Sequence, residues 1–123
     1  MESILKTIKK LLGISQDQTY FDTDIIMHIN SVFSVLTQLG VGPKEGFIIT
    51  DENIGWEEFL SDNKNLELVK TYVYLKVRLL FDPPSSSAVM SSMERTISEY
   101  EWRLNVLAES QPSNTEDNEK DEQ

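Results

Sequence analysis

The chain has 123 residues, 21 acidic against 11 basic side chains, no cysteine and one histidine, and a formal charge of −10. This length is typical of one domain with one core, and the lack of cysteine excludes disulfide frameworks, thiol nucleophiles and cysteine-ligated metal sites. The negative charge argues against a protein that holds DNA or RNA by neutralising phosphates, and no apolar run approaches the ~20 residues of a membrane span.

The first predicted element is a short amphipathic helix that ends at Gly13. Its apolar residues share one face at helical spacing: Ile4, Leu5, Ile8, Leu11 and Leu12. Its three lysines fall on the opposite face: Lys6, Lys9 and Lys10. Such a helix could lie on a membrane surface, but one so short and without an aromatic residue would bind weakly. We expect its apolar stripe to dock on its own bundle or on a neighbouring subunit.

A second helix is predicted from Asp22 or Thr23, either of which would cap it, to Gly40. Its apolar positions recur at helical spacing: Ile25, Ile29, Val32, Phe33, Leu36 and Leu39. Glycines and a proline interrupt residues 41–55, which predicts one small strand or an extended loop around 47–50. A brief helical turn from Trp56 to Leu60 follows.

Apolar residues cover most of the circumference of the next predicted helix, from about Asn65 to Phe81, as is normal for a central helix packed on several sides. Two prolines after Asp82 then force a turn. The last helix, about Ser86 to Ala108, carries an apolar seam with a period of 3.5: Met90, Met93, Ile97, Tyr100, Leu104 and Leu107. We therefore predict an all-α fold, a small helical bundle of about four to five helices with one irregular loop.

The C-terminal end of the chain differs from the rest in composition. Residues 110–123 contain no apolar side chain and five acids against one base, so they cannot bury enough surface to offset the entropy of ordering. We predict a disordered acidic tail over 110–123 and one helical domain over 1–109. That domain keeps 16 acids and 10 bases, a charge of −6.

The sequence offers little support for catalysis. His28 follows Asp24 by one helical turn, a spacing that could supply two metal ligands or an oriented general base. The simpler interpretation is that His28 edges an apolar face and Asp24 favours the helix N-terminus. Glycine-rich phosphate loops, dinucleotide fingerprints and nucleophile elbows are missing from the sequence. We expect no catalytic residues, no cofactor and no metal site.

Two features suggest contact with other proteins. Trp102 falls on the polar side of its helix, beside Arg95, Glu99 and Val106, so it either covers the end of its own domain or packs against a partner. The proline corner after Phe81 either presents this ring or buries it in a turn between helices. The interface candidates are Trp56, Phe81, Asp82, Pro83, Pro84, Arg95, Trp102 and Val106.

Four stretches carry a family resemblance: residues 67–87, 99–105, 5–14 and 55–60. They read ELVKTYVYLKVRLLFDPPSSS, EYEWRLN, LKTIKKLLGI and GWEEFL. Together with a helix that opens at Asp22, they resemble the head–tail connector (adaptor) proteins of tailed bacteriophages, of the type found in Gram-positive phages and prophages. The resemblance spans most of residues 1–108 and leaves out the acidic tail.

The resemblance implies a non-enzymatic virion protein, assembled in the bacterial host cytoplasm, that forms a ring, typically of twelve copies, under the portal at the head–tail junction. Its partners would be the portal protein, other copies of itself and the next head-completion or tail protein, with DNA only passing through the channel and no membrane. An acidic channel wall would repel phosphate, although acidity could equally serve solubility. The alternatives are an acidic DNA-mimic inhibitor or adaptor that binds a basic partner, and an enzyme that uses Asp24 and His28.

Overall fold

The computed structural model describes residues 2–61 and 63–109. Within these residues the chain forms five helices: α1 (Ile4–Leu12), α2 (Asp22–Gln38), α3 (Trp56–Phe59), α4 (Asn63–Phe81) and α5 (Ser87–Glu109). The described part has no β-strand, only an isolated bridge between Ser3 and Gly55. The all-α prediction is therefore confirmed. The predicted tail lies outside the described residues, so the division into 1–109 and 110–123 stays a prediction.

Helix α4 is the centre of the bundle, as its apolar circumference predicts. It packs against α1, α2 and α5. Its most buried side chains are Leu66, Val69, Tyr72, Val73 and Val77. Because these residues point in several directions around the helix, no single neighbour could cover them, and three helices are needed to remove them from water.

A polar contact joins α4 to α5 within this apolar setting. Tyr72 is fully buried, and its hydroxyl donates a hydrogen bond of 2.7 Å to Glu101 Oε2. Lys76 Nζ lies 3.7 Å from the same carboxylate oxygen. Burial raises the pKa of Tyr72, and the hydrogen bond and charge of Glu101 raise it further, so the phenol stays protonated and remains the donor. The contact sets how α5 lies along α4.

Helix α1 docks on its own bundle, one of the two arrangements that its apolar stripe predicts. Ile4, Leu5 and Ile8 are buried in the core. The helix begins after Ser3, whose Oγ accepts a hydrogen bond of 3.2 Å from the Lys6 N–H. It ends at Gly13, which has the left-handed conformation usual for a residue that terminates a helix (φ 81°).

Lys9 is buried, although the sequence places it on the face of α1 opposite the apolar stripe. Lys9 is only 2% exposed. Its Nζ lies 2.9 Å from Asp22 Oδ1 and donates hydrogen bonds to the carbonyl oxygens of Gln18 (2.7 Å) and Gln16 (3.3 Å). The loop between α1 and α2 folds over this position and supplies oxygen atoms that replace water around the ammonium group.

Asp22 consequently does not cap α2. The N-cap residue is Phe21, and no side chain there bonds to the free backbone N–H groups. Asp22 is the first residue of the helix, and its carboxylate is engaged by Lys9. A residue type that favours capping is used here for an ion pair, which only the folded loop makes available.

Residues 41–55 form an extended loop, and of the two predicted alternatives the strand is absent. Asn30 on α2 takes the place of a strand partner: its Nδ2 donates to the Ile49 carbonyl (2.9 Å), and its Oδ1 accepts from the Ile49 N–H (2.8 Å). The Phe33 ring lies 5.2 Å from that of Phe47 and 4.6 Å from that of Phe59, stacked on the latter. These contacts hold the loop against the core without a sheet.

Replacing Lys9 with methionine should destabilise the domain by about 2 kcal/mol, because the apolar stem is kept while Asp22 and two carbonyl groups lose their cation. The free energy of unfolding in urea measures this loss. Lys10 is exposed on the same helix, and Lys10→Met should change stability by less than about 0.5 kcal/mol. Equal stability of the two variants would contradict a stabilising role for the buried cation.

Gly42 should tolerate no side chain. It has φ 87°, and a Cβ atom there would overlap the ring of Phe59, which the stacked Phe33 ring holds in place. Gly42→Ala should therefore cost about 3 kcal/mol or more. Gly13 has a similar φ with open space around it, so Gly13→Ala, the matched control, should cost only about 1 kcal/mol. Thermal unfolding followed by circular dichroism would compare the two, and similar losses would show that the ring moves aside.

Candidate protein-binding surfaces

One side of α5 faces away from the bundle and carries an exposed tryptophan. Ile97 and Leu104 point into the core, which turns the opposite side of the helix outward. We call that side the α5 outer face, and its members are Ala88, Ser91, Arg95, Ser98, Glu99, Trp102 and Val106. Trp102 is 67% exposed and Val106 is 40% exposed. Trp102 therefore does not cover the end of its own domain, and its contact with a partner stays a prediction.

The charges around Trp102 are arranged unevenly. Arg103 Nη2 donates a hydrogen bond of 2.7 Å to Glu99 Oε2, so these two charges compensate each other. Arg95 is exposed and forms no ion pair with any residue in the described ranges. Its neighbours along the outer face are serines, an alanine and Glu99, whose carboxylate is bound by Arg103. The α5 outer face therefore combines an apolar anchor with one uncompensated positive charge.

The proline corner forms the predicted turn between α4 and α5. The Asp82 N–H donates to the Arg78 carbonyl (2.8 Å), and Arg78 Nε donates to the Asp82 carbonyl (3.1 Å). Asp82 and Pro83 are exposed, whereas Pro84 is half-buried. Phe81 is also half-buried, so it lies between the two predicted alternatives of a presented ring and a buried one.

Phe81 belongs to an aromatic group that the sequence pattern does not reveal. Its ring centre lies 5.3 Å from that of Phe21 in an edge-to-face arrangement, and Phe21 lies 4.9 Å from Tyr20 in the same way. Tyr20 is 82% exposed. We call Tyr20, Phe21 and Phe81 the aromatic patch. The sequence does show two adjacent aromatic residues just before a helix, Tyr20 and Phe21. It does not show that they meet Phe81, which lies at the end of α4.

Aspartates border the aromatic patch. Asp82 follows Phe81 directly, and Asp24 lies one helical turn after Phe21 on the same side of α2. Both are exposed, as is Asp17 in the preceding loop. Asp17 and Asp24 form no ion pair with a residue of the described chain, while Asp82 lies beside Arg78. The aromatic patch is thus an apolar centre with a negatively charged border.

Trp56 is wrongly placed among the interface candidates. It is 1% exposed, and its indole N–H donates to Thr7 Oγ1 at 3.1 Å. Its backbone N–H donates to the Glu2 carbonyl, also at 3.1 Å. Trp56 therefore joins α3 to α1 inside the core. The turn around it resembles a surface motif in sequence because Glu57 and Glu58 flank it, but these acids face outward while the ring faces inward.

The residues that the sequence suggests for catalysis or metal binding do not form a common site among the described residues. His28 contacts the Phe81 ring with centres 6.4 Å apart, and no hydrogen bond joins it to Asp24. In the described part of the chain, no three His, Asp or Glu side chains are grouped to hold a metal ion. No helix among the described residues combines the length and apolar character of a membrane span.

A groove of about 590 Å³ opens where the C-terminal ends of α2 and α5 approach the loop before α4. Val41, Phe59 and Leu104 form part of its apolar wall, and Lys44 is the only charged residue among those that line it in the described chain. A groove with an apolar wall and one charged residue is suited to an apolar side chain.

Comparison with known proteins gives one family. A family model described as phage connector protein matches residues 4–111, a range that includes all five helices. Curated proteins and solved structures give no match.

The two tryptophans should behave oppositely on substitution. Trp56→Ala should lower the free energy of unfolding by about 4 kcal/mol because it empties part of the core. Trp102→Ala should change it by less than about 0.5 kcal/mol because the ring is mostly in water. In a Trp102→Phe chain, the remaining fluorescence should be blue-shifted and poorly quenched by acrylamide. A strongly quenched Trp56 would contradict its buried position.

Proposed function

Because the chain belongs to the phage connector protein family, whose members are structural proteins of the virion and not enzymes, we propose that it is one subunit of a ring beneath the portal at the head–tail junction. In this proposal the ring extends the DNA channel and offers a docking surface to the next head-completion or tail protein. The observation that carries the proposal is the family match over all five helices.

The surfaces of the domain suit such a ring. Subunits of a cyclic ring meet through two unlike patches, one on each side of every contact. The α5 outer face and the aromatic patch are unlike in charge and lie on different elements of one bundle. The core beneath them needs no partner to be complete, since α4 is covered by α1, α2 and α5. A subunit of this kind can fold first and assemble afterwards.

The charge of the domain also suits a channel that DNA passes through. Residues 1–109 carry a net charge of −6, so twelve copies would place many negative charges around the opening. A negatively charged wall repels phosphate and does not retain the duplex. DNA is therefore a passing substrate in this proposal, and no residue is assigned to grip it.

The proposed partners are the portal protein, copies of the same chain in a ring of about twelve by family resemblance, and a downstream head-completion or tail protein. Membership of the type found in Gram-positive phages and prophages, and assembly in the host cytoplasm, are parts of the same proposal. The tail over 110–123 lies outside the described residues, and no role is assigned to it.

Electron microscopy of the purified chain mixed with its portal protein tests the proposal. We expect closed rings attached to one end of the portal. A monomeric chain in the absence of portal would be compatible with this expectation, because the portal supplies the template. Failure to form any ring or portal complex would contradict the proposal.

Salt dependence separates this function from that of a DNA mimic. A DNA mimic should lose most of its affinity for a basic partner between about 50 and 200 mM salt. A ring held by apolar anchors such as Trp102 should persist across that range, as judged by sedimentation of the portal complex. Release of the chain from a nucleic-acid-binding enzyme by added salt, with no portal complex at any salt concentration, would favour the mimic.

A further inference from the structure

We propose that neighbouring subunits of the ring meet through the α5 outer face of one copy and the aromatic patch of the next. Arg95 would face the aspartate border of the patch, with Trp102 packed on Tyr20. This inference rests on the ring of the proposed function and adds which residues form its subunit contact.

Both surfaces expose large aromatic side chains that are not buried in the core of a single subunit. Tyr20 and Trp102 are the two most exposed large apolar side chains of the described chain. Aromatic residues and arginine are enriched where protein interfaces are most strongly stabilised. Each surface contains an aromatic anchor held on a rigid base: Trp102 stands on α5, and Tyr20 leans on Phe21, which leans on Phe81.

The charges of the two surfaces are complementary. Arg95 lacks an anionic partner within the described part of its own subunit, and Asp17 and Asp24 lack a cationic one there. An arginine beside a tyrosine face and a carboxylate gains from both the ring and the charge. Each subunit therefore offers a cation at one surface and accepts one at the other.

The same charges disfavour pairing of like surfaces. Two α5 outer faces in contact would offer Arg95 no carboxylate except Glu99, which Arg103 already binds, and two aromatic patches would bring their aspartate borders together. Like charges across an interface lower affinity for the wrong partner. The contact is consequently head-to-tail and not two-fold symmetric, and a head-to-tail contact is the kind that closes into a ring.

Thiol cross-linking tests whether the two surfaces lie close together in neighbouring subunits. The chain contains no cysteine, so each introduced cysteine is the only thiol of its own chain. An Asp24→Cys chain and an Arg95→Cys chain would be mixed, assembled on the portal and treated with a short thiol-to-thiol cross-linker. A mass tag on one chain identifies the dimer that contains one of each. We expect this mixed dimer in at least about tenfold excess over that from a Lys6→Cys chain mixed with Arg95→Cys, because Lys6 is exposed but belongs to neither surface.

Charge reversal tests the contact independently. Arg95→Glu alone and Asp24→Arg alone should each lower the fraction of chain in rings about tenfold, and combining both changes in one chain should restore it to within about twofold. Lys6→Glu, which makes the same change of charge as Arg95→Glu outside both surfaces, should assemble normally.

The outcomes separate the two proposals. Rings that form equally well in wild-type, Arg95→Glu and Asp24→Arg chains, with no excess of the mixed dimer, would overturn this subunit contact and leave the ring intact. Variants that form rings but no longer bind the portal would assign the surfaces to the portal contact, which also overturns the inference. If the wild-type chain forms no ring with the portal, the proposed function itself fails.

Discussion

The burial of α4 is the constraint on which the rest of the molecule depends. Its apolar side chains point in several directions, and a helix of this kind is stable in water only when neighbours cover it on each side. Helices α1, α2 and α5 supply that cover. A buried phenol needs a hydrogen-bond acceptor, and Tyr72 on α4 finds one in Glu101 on α5. This hydrogen bond sets the position of α5 along α4.

The connections between the helices are held by polar groups that lost water and gained protein partners. Asp22 and two loop carbonyl groups take the place of water around the Lys9 ammonium group. The Asn30 side-chain amide donates a hydrogen bond to the Ile49 carbonyl and accepts one from the Ile49 N–H. Removing either partner would leave a charged or polar group without compensation, which costs more than the bond itself contributes. Two long loops are thereby given defined positions without a strand.

The surface follows a different logic from the core. The outward side of α5 and the end of the loop before α2 do not cover α4, yet each carries an exposed aromatic residue, Trp102 and Tyr20. A structural protein of the virion needs such surfaces because its function is contact with other virion proteins, and it needs no converging acid and base. The family assignment agrees with this division between a self-sufficient core and unpaired surface anchors.

The sequence alone determined the helices, the central place of α4, the position of Trp102 on the polar side of α5 and the family. These depend on periodicity along one element, and the observed ends of α4 and α5 differ from the predicted ones by at most two residues. The tertiary structure decided which polar residues are buried and which aromatic residues meet. Lys9 and Trp56 are in the interior because a loop and a neighbouring helix cover them. Phe21 and Phe81 form a surface because α2 and α4 bring together positions that lie sixty residues apart in the chain, a contact that no local pattern encodes.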